Sequence, residues 1–193
     1  MQIEQLFDFL HRSLSPFHAV HTAAQLLDAA GYTRLEEAEY WNLEPEHGYY
    51  VTRNESSIIA WRVPAHAIGG WRIAASHSDS PCFRLRDHAE LMGEYIRLSA
   101  ERYGGMINDS WLDRPLSVAG RVLVRREGGL EARLVDLKRD VALIPRVAIH
   151  LNRDGNNGTK YNPAQDLVAL YAGGEQKGSF DREIAAAAGC QPE

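Results

Sequence analysis

A histidine and an aspartate two residues apart, His77 and Asp79, are the side chains of this sequence whose types and spacing best suit metal chemistry. They lie in the stretch SHSDSP, residues 76–81. A neutral imidazole can give one nitrogen lone pair to zinc, while a carboxylate accepts the N–H of the other nitrogen and fixes the tautomer. Because the same residue types also form ordinary turns, the pair by itself leaves metal site and plain turn both open.

The residues before the pair predict helices that pack on a sheet. Apolar residues recur at helical spacing from Ile3 to Leu10, and a second helix is predicted after Ser15, a good N-cap, with Gly31 at its end. The predicted strands are residues 49–53, which turn through Asn54 and Glu55 into residues 56–63, and the apolar run WRIAAS at 71–76. A histidine just past a buried strand lies where open α/β sheets place ligands. An α/β texture to about residue 80 follows.

After Pro81 the helical period gives way to short alternating segments, which predict an antiparallel β module. Within it, residues 127–129 predict a tight hairpin loop. The last of these segments, VALIPRVAIHL at 141–151, places a histidine near a strand end. A polar loop then leads to a final helix at about 181–189, with Ser179 as its expected cap.

Composition excludes several classes of partner. The net charge is −5 and the charges are interspersed, so no basic stripe is available for nucleic acid. No apolar run approaches the roughly 20 residues that a membrane span requires. The cysteines, Cys82 and Cys190, are too few for a disulfide framework and lack zinc-finger spacing. We therefore expect a cytoplasmic protein that binds neither nucleic acid nor membranes.

Seven stretches, in order along the chain, resemble the aspartyl aminopeptidase family of dinuclear zinc metallopeptidases. They are SPFHAV (15–20), AAGY (29–32), YYVTRNESSIIAWRV (49–63), SHSDSPCFRLR (76–86), YGG (103–105), WLDRPLSVAGRVLV (111–124) and IPRVAIHLNR (144–153). The resemblance covers nearly all of the chain to about residue 168 and fades after it.

The resemblance implies part of a zinc-peptidase-like α/β catalytic domain with an inserted antiparallel β module that serves dimerisation and acts as a lid. Residues 1–80 would begin the catalytic domain, 81–160 would form most of the module, and 161–193 would start a truncated return. His77 would be a zinc ligand and Asp79 would orient it, with Ser78 where threonine is usual. His150 would reach from the module into a neighbouring subunit and help bind substrate or stabilise the tetrahedral intermediate.

The implied activity is metal-dependent removal of an N-terminal residue, acidic by preference, from peptides, with two zinc ions and a homo-oligomer formed through the β module. In that family the other metal ligands and the carboxylate base come later: an aspartate in a D-N stretch, a Glu-Glu pair, another aspartate and a histidine. Because the sequence stops before them, we expect an N-terminal fragment that is inactive and does not hold zinc stably alone. Whether it is a truncated piece or a natural short reading frame stays open.

Two alternatives compete with this prediction. In one, the chain is a non-catalytic module whose β segment serves as an interaction or assembly surface. In the other, it is a small self-contained hydrolase that uses His77, Asp79 and His88. Metal content distinguishes them, since only the self-contained enzyme would hold two zinc ions by itself.

Overall fold

The computed structural model describes residues 3–66 and 69–192. Its contacts divide the chain into two units, residues 1–80 and 81–193. Helices and sheets occur together, which confirms the expected α/β class. Within the described ranges, every helix is too short or too polar to traverse a lipid bilayer.

The N-terminal unit begins with two helices, α1 (Ile3–Arg12) and α2 (Pro16–Ala29). Ser15 is the N-cap of α2, as predicted, and its hydroxyl oxygen accepts the N–H of His18. Gly31 follows the helix with a φ of +80°, a left-handed conformation that glycine adopts without strain. Both predicted helices are therefore confirmed.

Among residues 3–66 and 69–80, the strands of this unit are β1 (Thr33–Arg34), β2 (Gly48–Arg53) and β3 (Ser57–Arg62), in the order β1-β2-β3. β1 pairs with β2 in parallel, and β2 pairs with β3 antiparallel. Asn54 and Glu55 both have positive φ, 51° and 56°, as a tight turn between right-twisted strands requires. The predicted hairpin is thereby confirmed.

The buried strand predicted at residues 71–76 is wrong for this structure. The segment has no regular secondary structure, and Trp71 and Ile73 are 67% and 86% exposed. A strand forms only when a neighbour accepts and donates its backbone hydrogen bonds. Across residues 3–66 and 69–192, the strands of the three sheets do not include this segment.

The second unit is built on a five-stranded antiparallel sheet and a separate hairpin. Its strands are β4 (Cys82–Leu91), β5 (Tyr95–Tyr103), β6 (Pro115–Leu116), β7 (Ala119–Arg126), β8 (Gly129–Asp136), β9 (Ala142–Leu143) and β10 (Ala169–Gly173). The sheet order is β4-β5-β10-β9-β6, and β7 pairs with β8. The loop between β7 and β8 lies within residues 127–129, as predicted.

Two α-helices, α3 (Pro163–Asp166) and α4 (Ser179–Ala188), and three 3₁₀ turns complete this unit. The turns are Asn108–Trp111, Gly155–Asn157 and Gly174–Gln176. β10 lies in the middle of the sheet, and α4 packs on the β7–β8 hairpin. Residues 161–192, which were expected to start the return to the catalytic domain, therefore pack within this unit.

Three apolar clusters form the core of the second unit. Their buried members are Ala89, Leu98 and Phe180; Leu112, Ile144 and Leu167; and Val124, Val135 and Ala188. Each cluster joins residues that are far apart in sequence. Burial of this apolar surface is what holds the strands and α4 together.

The predicted cap of α4 is corrected by the structure. Ser179 makes no side-chain cap hydrogen bond; the N-cap is Gly178. The carboxylate of Glu90 accepts the N–H of Gly178 at 2.6 Å and of Phe180 at 2.8 Å. A carboxylate at this end of a helix satisfies free N–H groups and complements the helix dipole.

Candidate functional site

His77 and Asp79 are brought together in the N-terminal unit. Nδ1 of His77 lies 2.9 Å from Oδ1 of Asp79, and the two side chains are 91% and 30% exposed. With Nδ1–H donating to the carboxylate, the lone pair of Nε2 is the one that can bind a metal ion. The pair therefore has the arrangement of one zinc ligand with its orienting carboxylate.

Ser78 connects this pair to the β2–β3 hairpin. Its hydroxyl donates to the backbone carbonyl of Ser56 at 2.7 Å, across 22 residues of sequence. In the sequence Ser78 stands out only as a departure from the threonine usual in the family, and this contact was not predicted. The available signal was that serine and threonine both carry a hydroxyl, the group that makes the bond.

His150 lies in the second unit, exposed and within a turn. The turn is closed by the N–H of Leu151, which donates to the carbonyl of Ala148 at 2.8 Å. The predicted location on a strand end is therefore wrong, because β9 already ends at Leu143, Ile144 forms a single bridge with Leu112, and residues 145–151 belong to no strand.

The segment that precedes His150 is held by Asp113. The carboxylate of Asp113 accepts the N–H of Arg146 at 2.8 Å, and the N–H of Asp113 donates to the carbonyl of Ile144 at 2.9 Å. Asp113 itself has a φ of +56°, which is unusual for a residue with a side chain. This reciprocal contact fixes the backbone four residues before His150.

A second aspartate, Asp109, joins the same network. It accepts from the guanidinium of Arg146 at 3.1 Å and from the hydroxyl of Tyr161. The hydrogen bond to Asp109, followed by burial, raises the pKa of Tyr161. The network thus ties residues 109–113, 144–146 and 161 into one framework, while His150 extends beyond it into solvent.

A zinc ion requires more donor groups than the pair of His77 and Asp79 provides. Stable zinc sites use three or four ligands, nitrogen and oxygen among them. Within the described part of the chain, no group of three or more His, Cys, Asp or Glu side chains is placed to hold a metal ion. His77 fits one coordination position, with Asp79 as its hydrogen-bond partner. His88, the third residue that a self-contained hydrolase would use, lies on β4 in the second unit.

The chain matches a known protein family over most of its length. The model of the aminopeptidase I zinc metalloproteases (M18) matches residues 9–185. The chain belongs to this family. The resemblance inferred from the seven stretches is therefore confirmed.

Relatives and solved structures agree with this M18 assignment. The probable M18 family aminopeptidase 2 of Pseudomonas fluorescens (strain SBW25) is 48% identical over 177 residues, which cover 89% of this chain and 41% of the relative. The structure of Chaetomium thermophilum mApe1 matches with a TM-score of 0.86 at 29% identity, over 98% of this chain and 47% of that one. The S. cerevisiae mApe1 dodecamer matches with a TM-score of 0.76 at 22% identity, over 97% and 44%.

This M18 chain spans less than half the length of the relatives that it matches. It corresponds to their N-terminal portion. The family is one of zinc metalloproteases, so zinc is the metal ion to consider at the site of His77 and Asp79.

Proposed function

We propose that this chain forms the N-terminal part of a metal-dependent aminopeptidase that releases N-terminal residues, with a preference for Asp and Glu, from peptides. The observation that carries the proposal is the 2.9 Å contact between His77 Nδ1 and Asp79 Oδ1 in a chain of the M18 family. The acidic preference rests on the resemblance to aspartyl aminopeptidases alone.

In this proposal each residue of the pair has a separate task. His77 holds zinc through Nε2, and Asp79 keeps the proton on Nδ1 so that the lone pair of Nε2 stays available. When bound, a pair of zinc ions supplies an activated water and polarises the peptide carbonyl. The exposure of His77, 91%, leaves Nε2 accessible to a metal and to further ligands.

His150 is proposed to act on substrate bound by a neighbouring copy of the chain, as the family resemblance implies. Its exposed turn, presented by the framework around Asp109 and Asp113, suits a donor that reaches outward. The flanking side chains of Val147, Ile149 and Leu151 are also exposed and apolar. Such a patch is typical of a protein contact, which supports a homo-oligomer formed through the β module.

We further propose that the 193 residues are inactive by themselves. A lone imidazole cannot hold zinc against water and chelators, since affinity comes from several converging ligands. The absence of any such group of three within the described residues supports this step. In this proposal, residues 1–80 form the start of the catalytic domain and residues 81–160 form the dimerisation and lid module. The protein acts in the cytoplasm.

An assembly module without catalysis is the second candidate. The observation that favours it is the exposed apolar surface of the β7–β8 hairpin, where Leu123 and Leu130 face solvent. Under this alternative the chain associates with itself or a partner, and His77 has no ligand role.

The deciding experiment uses a fusion protein, in which this chain is followed by the C-terminal part of the Pseudomonas fluorescens relative. We expect the fusion protein, but not the chain alone, to cleave peptides that begin with Asp or Glu faster than those that begin with Ala or Lys. Replacing His77 by Ala should abolish turnover, and Asp79→Asn should weaken zinc binding by about 10 to 100 fold. Undiminished activity in His77→Ala would reject the ligand assignment.

The role of His150 is tested by mixing subunits of the fusion protein. His150→Ala should keep its zinc and lose about 100 to 1000 fold in turnover, the usual cost of losing one donor to a developing oxyanion. Mixing it with His77→Ala should restore partial activity, because some hybrid sites combine an intact metal centre with an intact neighbouring histidine. No recovery, despite demonstrated subunit exchange, would contradict action in trans.

A further inference from the structure

The loop that carries His77 and Asp79 is mostly exposed. Residues 69–81 have no regular secondary structure. From residue 69 to residue 77 every described side chain is exposed, whereas Ser78 and Asp79 are half-buried. The position of the His77 imidazole therefore depends on what these two half-buried residues contact.

The acceptor of the Ser78 hydrogen bond is a backbone carbonyl in the turn of the β2–β3 hairpin. The carbonyl of Ser56 accepts its hydroxyl at 2.7 Å, and Ser56 also donates its own N–H to the carbonyl of Arg53 at 3.2 Å. Ser56 thus sits between the left-handed pair Asn54 and Glu55 and the first residue of β3. Because β2 and β3 are paired along their whole length, from Gly48–Arg62 to Arg53–Ser57, this carbonyl is fixed in place.

We propose that Ser78 is a positioning residue. Its hydroxyl holds the loop on the β2–β3 hairpin and so keeps the imidazole of His77 hydrogen-bonded to the carboxylate of Asp79. Ser78 lies between the two residues, so holding its side chain restricts the backbone on both sides at once. Restricting the loop before a ligand binds lowers the conformational entropy that binding would otherwise cost. The inference rests on the proposed roles of His77 and Asp79.

The test measures the His77 tautomer in the 193-residue chain by NMR after labelling histidine with nitrogen-15. The spectra are recorded at a pH where the nitrogen-15 shifts of the ring no longer change on further addition of base, so that the two neutral tautomers are compared. His77→Gln identifies the signals by their loss. We expect the protein to show His77 predominantly protonated on Nδ1, and Ser78→Ala to shift the populations towards those of a free imidazole.

Three further variants separate a hydroxyl effect from a general loss of structure. Ser78→Thr keeps the hydroxyl and should retain the Nδ1–H tautomer. Ser78→Cys keeps the size but has only a weak donor, so it should behave like Ser78→Ala and decides the question if the alanine variant does not fold. Ser80→Ala removes an exposed hydroxyl from the same loop and should change nothing.

Asp79→Asn distinguishes failure of this inference from failure of the proposed function. If Asp79→Asn shifts the tautomer and neither Ser78→Ala nor Ser78→Cys does, the anchoring role of Ser78 is wrong and the role of Asp79 stands. If Asp79→Asn has no effect either, the orienting contact itself is wrong. Equal loss in Ser78→Thr and Ser78→Ala would also overturn the inference, because the hydroxyl would then not be the group that matters.

Discussion

Residues 71–76 and strand β5 were both predicted as strands from their apolar residues, and their environments in the structure are opposite. Ile96 and Leu98 of β5 are 0% and 1% exposed, while Trp71 and Ile73 are largely in solvent. β5 has β4 on one side and β10 on the other, so both of its backbone edges are hydrogen-bonded. The apolar pattern therefore indicates a capacity to form a buried strand, and the neighbouring strands decide whether it does.

The two units also differ in how far neighbouring elements cover their apolar residues. The second unit encloses three apolar clusters with strands and a helix of its own. The N-terminal unit instead carries its candidate ligand on an exposed loop that follows an unpaired apolar segment.

Two isoleucines allow the sharpest mutational comparison. Ile96→Ala should lower the free energy of unfolding by about 2 to 5 kcal/mol, because it opens a cavity in a fully buried site. Ile73→Ala, a matched change in the exposed segment, should stay within about 0.5 kcal/mol. Urea denaturation of both variants measures the difference. A cost of several kcal/mol for Ile73→Ala would show that residues 71–76 are packed in solution.

The cap of α4 tests whether the second unit depends on long-range polar contacts as well. Glu90→Ala should destabilise this unit by about 1 to 2 kcal/mol, since two N–H groups at the helix start lose their acceptor. Glu127→Ala, at the exposed hairpin loop, is the matched control and should change little. Equal denaturation midpoints for the two variants would mean that Glu90 does not cap the helix.

Ionisation of Tyr171 at alkaline pH should change the free energy of unfolding by a smaller amount. Burial, together with a hydrogen bond to Glu183, raises the pKa of this phenol to about 12. The unfolded phenol, with a pKa of about 10, loses its proton first, so the stabilisation is complete below pH 10 and is lost as the pH rises towards 12. The stability difference between the protein and Tyr171→Phe should shrink over that window. A constant difference for Tyr171→Phe over that window would contradict the account.

Local signals were sufficient for some elements and not for others. Ser15 as a cap and Asn54–Glu55 as a turn were predictable because each acts within a few residues of itself. The cap of α4 was missed because Glu90 lies 88 residues before Gly178, and sequence proximity favoured Ser179.

The candidate site shows the same division. The spacing of His77 and Asp79 was enough to predict their contact, since side chains two residues apart in a loop can reach each other. The bond from Ser78 to Ser56 required knowledge of which hairpin lies beside the loop. His150 was expected on a strand because its neighbours are apolar, yet an apolar run without a pairing strand folded into a turn.

Zinc content tests the central claim most directly. The claim is that His77, oriented by Asp79, supplies one ligand of a site whose other ligands lie outside the described residues. After gel filtration in the presence of a weak chelator, atomic emission should find no retained zinc on the 193-residue chain and about two ions per fusion protein. His77→Ala in the fusion protein should lower that content. Two zinc ions retained by the chain alone, or full zinc content in His77→Ala of the fusion protein, would contradict the account.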